Sequence, residues 1–540
     1  MISVANVSKI YGGETLYEGA TFQINPGEKV GLVGKNGAGK TTFFRMIIGE
    51  ERADSGQISI QNGVRVSYFS QNVSEMAGKN VVSEVISGNG DVAKLQDELA
   101  AYEQKLCDPD IDPDEMNQVL EKMGDAQTEF ERLGGYDIEA TAKEMLSGLG
   151  IKESEHHRMV DDFSGGQKMR IALAKTLIML PDLILMDEPT NYLDMETIIW
   201  VEQWLKNFKG AILMTSHDRV FMNKVVKRIL EVTPRGVVSY GGNYEFYEQE
   251  KALRRKQNAA EFQRQQDNLK KEEDFIAKFK ARASHAAQVQ SRVKKLEKID
   301  RVELESDVEK MNIMLPEIER GSNEVVSVKG ISKKFQLQNG EDLVIFNNFS
   351  ALIERQEKVA VVGVNGAGKS TFFKMVVGEL SADEGVVTLG PSVKVGYFGQ
   401  STFKSLKHEN TLTDELQSRL HGASDGLIRN ILAAFLFKGD DVYKKVKHLS
   451  GGEKARLILA WLLSSKFNCL ILDEPTNHLD IYSREVLLDA LRRYAGTVMI
   501  VSHDRHFLGE ISTKVMEVSR EKSFLYPGNY KEYTSSKVRS

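Results

Sequence analysis

Gly34-Lys35-Asn36-Gly37-Ala38-Gly39-Lys40-Thr41 is the stretch that decides the fold, and it occurs twice, since Gly363 to Ser370 reads GVNGAGKS. Both copies fit the phosphate-loop pattern G-x-x-x-x-G-K-[ST]. Each follows a short apolar run, Lys29 to Val33 and Lys358 to Val362, and each leads into a stretch with helical spacing, Thr42 to Ile48 and Thr371 to Val377. A strand that delivers a glycine loop into a helix wraps backbone N–H groups around a phosphate and points the helix's positive end at the same anion. Lys40 and Lys369 are placed to reach β- and γ-phosphates, and Thr41 and Ser370 to offer a hydroxyl to Mg²⁺. Gly34, Asn36, Gly37, Gly39 and Thr42, with Gly363, Asn365, Gly366, Gly368 and Thr371, complete two expected nucleotide sites.

Working outward, the whole neighbourhood repeats. The loop lysines lie 329 residues apart, and Tyr68-Phe69-Ser70-Gln71 returns as Tyr397-Phe398-Gly399-Gln400 at the same spacing. Further on the spacing drops to 286 residues: Ser164-Gly165-Gly166 returns as Ser450-Gly451-Gly452, Asp187-Glu188 as Asp473-Glu474, and His217 as His503. The first copy therefore holds 43 additional residues between Gln71 and Ser164. They fall at about 91–135, where charged text with helical apolar spacing predicts a helical hairpin turning at Asp108 to Pro113. The acidic turn does not suit calcium, because Pro113 and Val119 stand where such a loop needs glycine and a bidentate glutamate.

The architecture expected is α/β: one P-loop domain at 1–243, a second at 323–540, and a charged helical linker at 244–322. Residues 251–300 hold fourteen lysines and arginines against seven aspartates and glutamates, inside a chain of net charge −6. No glycine or proline occurs from Glu245 to Leu315, which predicts two long helices meeting near Ala283-Ser284-His285. That local basic surplus points to a polyanion, whereas the net charge excludes affinity for nucleic acid over the whole surface.

At 540 residues the chain is too long for one core, and 41% hydrophobic with 27% charged residues is the composition of a globular protein. No run approaches the length of a membrane span, and no secretory signal is visible, so a cytoplasmic location is expected. Cys107 and Cys469 lack metal-ligand spacing and read as reduced thiols.

The carboxylate pairs end apolar strands. Asp187 and Asp473 are placed for the Mg²⁺ shell, and Glu188 and Glu474 to polarise a water. His217 and His503 follow their glutamates by the same 29 residues, which favours a γ-phosphate contact. Gln71 and Gln400 are placed to bridge metal and water, and Tyr11 and Phe335 are candidates to stack on adenine, a role as common for a core or surface aromatic to lack. Ser164 to Gly166 and Ser450 to Gly452 each open a helix and form a second anion cradle, surplus in their own domain and best used on the other domain's nucleotide.

Phosphate loop, glutamine, SGGQ-type signature, aspartate–glutamate strand and histidine, in this order twice, resemble the ATP-binding cassette superfamily. DEPTN-x-LD, SHDR with Phe221 or Phe507, and Gly-Asn-Tyr at 242–244 and 528–530 are similar to the ABC-F family, most of all its bacterial translation-factor members of the YbiT and EttA type. The resemblance implies an ATPase that takes ATP and Mg²⁺. Its cassettes would close head to tail on two ATP molecules, Lys40 with Ser450 to Gly452 and Lys369 with Ser164 to Gly166. It further implies a monomer without membrane or permease that binds the ribosome near the tRNA exit site. The linker would reach rRNA and the peptidyl-site tRNA, the arm would touch the large subunit, and hydrolysis would release the protein and so tune translation. Glu453 and Tyr192 depart from the pattern and make the two sites unequal. An importer ATPase and a DNA-repair ATPase are the competing classes, and without nucleotide the cassettes are expected open and separated.

Overall fold

The computed structural model describes the chain except residues 36, 71–75, 77, 108–111, 192, 280–289, 291–312, 314, 337–341, 438, 478, 480, 520–521 and 538–540. Lys29–Val33, Leu183–Asp187 and Ala211–Thr215 are buried along their whole length, as continuous apolar runs must be when a parallel sheet is covered on both faces. They belong to a six-stranded sheet in the order Val66–Phe69, Leu183–Asp187, Ala211–Thr215, Lys29–Val33, Arg228–Thr233, Gly236–Tyr240, in which only the last strand is antiparallel. A three-stranded antiparallel sheet, Glu14–Ile24, Ile2–Tyr11 and Ser55–Ile60, closes over one face. Phe43 and Phe44, on the helix Lys40–Ile47, fill the space between the sheets, with Tyr17 stacked on Phe43 at 4.2 Å.

The second half repeats this order strand for strand: Val395–Phe398, Cys469–Asp473, Thr497–Val501, Lys358–Val362, Lys514–Glu517, Phe524–Tyr526. The duplication read from motif spacing is therefore a duplication of topology. In both sheets the phosphate loop leaves the carboxyl end of an interior strand, where an open α/β sheet binds ligands.

The expected arm is present as Gly90–Leu106 packed on Pro113–Arg132. Asn89 caps the first helix, and Pro113 opens the second, where its missing N–H costs nothing. The turn between them lies outside the described residues. In the linker, Tyr244–Phe279 is one helix of 36 residues. The expected bend at 283–285 and the returning helix lie outside the described residues.

The expectation of separated cassettes is corrected by the structure. Arg219 of the first cassette pairs with Glu485 of the second at 2.6 Å, and Arg505 of the second with Glu202 of the first at 2.7 Å. Met195 packs against the second core, where the Tyr530 hydroxyl lies 3.7 Å from its sulfur. Complementary charge around an apolar contact gives these surfaces a reason to meet.

Candidate nucleotide-binding and hydrolysis sites

Gly39 and Gly368 make the turn from loop to helix at φ +85° and +112°, a region that disfavours a side chain. A Cβ there would also stand 2.7 Å from the Tyr17 ring, or hard against Ile345. The helices begin at the next residues, Lys40 and Lys369. Lys40 Nζ donates to the carbonyls of Gly34 and Lys35 at 2.9 and 3.1 Å, and Lys369 Nζ to those of Gly363 and Val364 at 2.7 and 3.1 Å. Both ammonium groups thus lie across the loops they belong to.

A cavity of about 470 Å³ opens beside the first loop. Its walls include Tyr11, Gly37, Gly39, Lys40, Thr41, Thr42, Asp187, Glu188 and His217, so one space collects first-cassette residues from four separate segments. Tyr11 stands at its rim, 64% exposed. Phe335, its counterpart, is exposed beneath the Lys333 ammonium. Gln400 opens a short helix just past Val395–Phe398 and is exposed, whereas Asn36 and Gln71 lie outside the described residues.

The signatures stand apart from that cavity. Ser164 and Ser450 cap their helices through capping boxes with Gln167 and Glu453, and both serines are exposed. Ser450 to Gly452 are not among the cavity's walls. Contact between the cassettes runs through the central seam and leaves the signature faces open.

Thr41 Oγ1 donates to Asp187 Oδ2 at 2.6 Å, and Ser370 is hydrogen-bonded to Asp473. Each pair brings a hydroxyl and a carboxylate together at the phosphate loop, a hard-oxygen set that suits Mg²⁺. The strand then ends abruptly: Glu188 and Glu474 adopt φ of +51° and +52°, unusual for non-glycine residues and a mark of a constrained functional position. The constraint is held by N–H bonds from Glu188 to the Thr215 carbonyl and from Glu474 to the Val501 carbonyl, at 3.2 and 3.0 Å.

His217 N–H donates to Glu188 Oε2 at 2.9 Å, while Nε2 of the same residue stands 3.4 Å from Oε1. In the second site His503 Nε2 is 3.0 Å from Glu474 Oε1. Burial pushes the Glu188 carboxyl up to about 7, further raised by Asp187 and moderated by Lys40 and Arg484. Burial, with the charges of Arg484 and Lys40, holds His217 neutral, well below its ordinary value. Burial also pushes Glu474 upward, but His503 and Lys369 outweigh it and hold that carboxyl below its usual range. A buried carboxylate near neutrality is suited to take a proton from water. The two sites share a plan and differ in electrostatics.

Sequence reading missed three of the groups that shape them. Thr215 bonds both Asp187 and Glu188, at 2.7 and 3.0 Å. Asp194, paired with Arg170 at 3.1 Å, accepts the Asn365 N–H of the opposite phosphate loop at 3.4 Å. The aspartate was visible within DEPTN-x-LD, but no spacing announced its reach across the seam.

The ABC transporter family matches residues 17–191 and 346–477, and a second family of the same description matches 230–314. The chain is 37% identical over 539 residues to the putative ATP-binding protein YdiF of Bacillus subtilis, covering 100% of this chain and 83% of that one. It is 32% identical to the probable ATP-binding protein YbiT of Escherichia coli O157:H7, over 99% of each chain. It is 35% identical to ABC transporter F family member 5 of Arabidopsis thaliana, over 98% of this chain and 77% of the relative. Among solved structures, an archaeal ribosome recycling factor, aABCE1, in complex with the ribosomal stalk protein aP1 shares the fold, with TM-score 0.63 and 18% identity over 99% of this chain and 92% of that one.

Proposed function

The chain belongs to the ABC-F family of tandem ATP-binding cassette ATPases, and from that premise we propose that it binds the ribosome in its closed, ATP-bound form and modulates translation. On this reading the cassettes close head to tail, bringing Ser450 to Gly452 onto the ATP held by Lys40, and Ser164 to Gly166 onto the ATP held by Lys369. Tyr11 and Phe335 stack on the adenines. Thr41 with Asp187 and Gln71, and Ser370 with Asp473 and Gln400, would hold Mg²⁺, which would supply charge neutralisation at the transferring phosphate. Glu188 and Glu474 accept the proton of the attacking water, and His217 and His503 contact the γ-phosphate.

The observation that carries the ribosome reading is the helix Tyr244–Phe279. Its start is anchored by buried Tyr244 and Tyr247, and beyond them Arg254, Arg255, Lys256, Arg264, Lys270, Lys271 and Lys278 are exposed. Exposed cations along a long helix suit a phosphate backbone. The linker then meets rRNA and the peptidyl-site tRNA near the exit site, the arm touches the large subunit, and hydrolysis releases the protein. The fold shared with the archaeal recycling factor is compatible with such a partner.

The test is co-sedimentation of the full chain with ribosomes, using Glu188→Gln, Glu474→Gln, with and without ATP, across a salt series. Retention that needs ATP and weakens as salt rises is expected. Retention no greater than that of the unsubstituted chain would overturn the reading.

A further inference from the structure

The two cassettes do not treat each other alike. Arg484, on the helix Ile481–Arg493 of the second cassette, is only 11% exposed and donates three ways. Its Nε bonds the Leu479 carbonyl at 3.0 Å, and its Nη1 bonds Asp504 Oδ2 at 3.1 Å, both within the second cassette. The same Nη1 crosses the seam to the His217 carbonyl of the first cassette, at 3.2 Å. His217 is therefore held on both flanks, its N–H on the Glu188 carboxylate at 2.9 Å and its carbonyl on Arg484.

The reciprocal arrangement cannot form. At the 286-residue spacing the counterpart of Arg484 is Ile198, an apolar side chain only 1% exposed. The consequence is visible at the residues each would serve. Asp504 Oδ2 is bonded by Arg484, whereas Oδ2 of its counterpart Asp218 is buried without a hydrogen-bond partner among the described residues.

We propose that Arg484 is a positioning residue supplied in trans: the second cassette uses it to hold His217, and through it Glu188, so that the first ATP site is competent only while this seam is made. Among the described residues the second site receives no arginine of this kind, its counterpart being Ile198. Arg484 thus links the second cassette's Leu479 and Asp504 to the first cassette's base, while the first cassette reaches the second site by a different contact, Asp194 on the Asn365 N–H. The proposal rests on Glu188 and Glu474 acting as the two bases. It is independent of any ribosome contact.

The test uses the full chain and single-turnover hydrolysis of radiolabelled ATP, which reports the bond-breaking step without product release. In Glu474→Gln only the first site turns over, and in Glu188→Gln only the second. Arg484→Ile, giving the second cassette the first's residue, is expected to slow the first-site rate about tenfold or more at saturating ATP, since a small displacement of a positioned group has effects of that size. The ATP concentration for half-maximal rate should stay within about twofold, and Arg484→Lys should recover part of the rate. The second-site rate should change by less than about twofold. Equal losses at both sites, no loss at the first, or a weakened affinity with an unchanged maximal rate would each overturn the proposal. Arg484→Gln, which keeps a donor and most of the volume, gives the same comparison should the isoleucine variant fail to fold. The chain carrying both Glu188→Gln and Glu474→Gln checks the base assignment separately, because residual turnover there would point to other bases and leave the ribosome test untouched.

Discussion

Thr215 Oγ1 donates a 2.7 Å hydrogen bond to Asp187 Oδ1, and the residue at the matching place in the second cassette is Val501. Thr215 is fully buried, so its hydroxyl has no exchange with solvent to replace what it gives the carboxylate. Thr215→Val removes that donor with little change in shape and leaves a buried oxygen short of a partner, at a cost of about 1–3 kcal/mol. The Mg²⁺ concentration for half-maximal hydrolysis by Glu474→Gln chains is expected to rise roughly fivefold. An unchanged Mg²⁺ requirement would count against Asp187 as the metal-facing carboxylate of the first site.

The phosphate loops do not tolerate a methyl group at their last glycine. Gly368→Ala forces a left-handed φ of +112° on alanine and drives its Cβ into Ile345. The left-handed backbone alone costs about 1–2 kcal/mol, and the overlap adds to it. Thermal unfolding should show the variant losing most of its stabilisation by ATP. A Tm rise with ATP equal to that of the unsubstituted protein would show that the loop relaxes around the methyl.

The seam holds charges that are buried when it is made. Glu202, only 3% exposed, is bonded by Lys224 at 2.8 Å and faces Arg505 at 2.7 Å. Glu202→Gln leaves those cations without their counter-charge, a loss of roughly 3–5 kcal/mol for a buried pair. Calorimetry is expected to show the transition that involves the seam lowered by roughly 5–10 °C. A shift of a degree or less would mean that water reaches the pair.

The two thiols should separate cleanly. Cys107 is exposed, while Cys469 is fully buried on the strand Cys469–Asp473, and burial pushes its thiol up to about 12. The reactive species is the thiolate, and raising an acid's pKa keeps it protonated. At pH 8 a thiol reagent should therefore consume one equivalent in the folded protein and a second only after denaturant is added. Two fast equivalents in the native protein would contradict the packing around Cys469.

Much of this molecule was legible in its sequence because chemistry and topology are coupled in short motifs. GKNGAGKT and GVNGAGKS require strand, glycine loop and helix in immediate succession, and the two offsets locate an inserted arm to within a few residues of Gly90–Leu106 and Pro113–Arg132. The carboxylates of the candidate sites stood out for the same reason: an acidic pair that ends an apolar strand points to something that needs the charge. Separated cassettes were expected without nucleotide because the surface that each signature announces for the other half needs an ATP between them. Arg219 and Arg505 were visible within SHDR, but no spacing paired them with Glu485 and Glu202.

The sequence by itself determined two nucleotide cassettes, their order, the arm and the basic linker, since each follows from residues close together in the chain. Glu453 and Tyr192 already marked the two sites as unequal, and only the tertiary structure decided how their electrostatics differ. Burial, which sets the Glu188 carboxyl near neutrality, depends on what packs against it, and Arg484 reaches His217 from 267 positions away. A duplicated chain repeats its motifs, but two halves that face each other across a seam need not repeat their contacts.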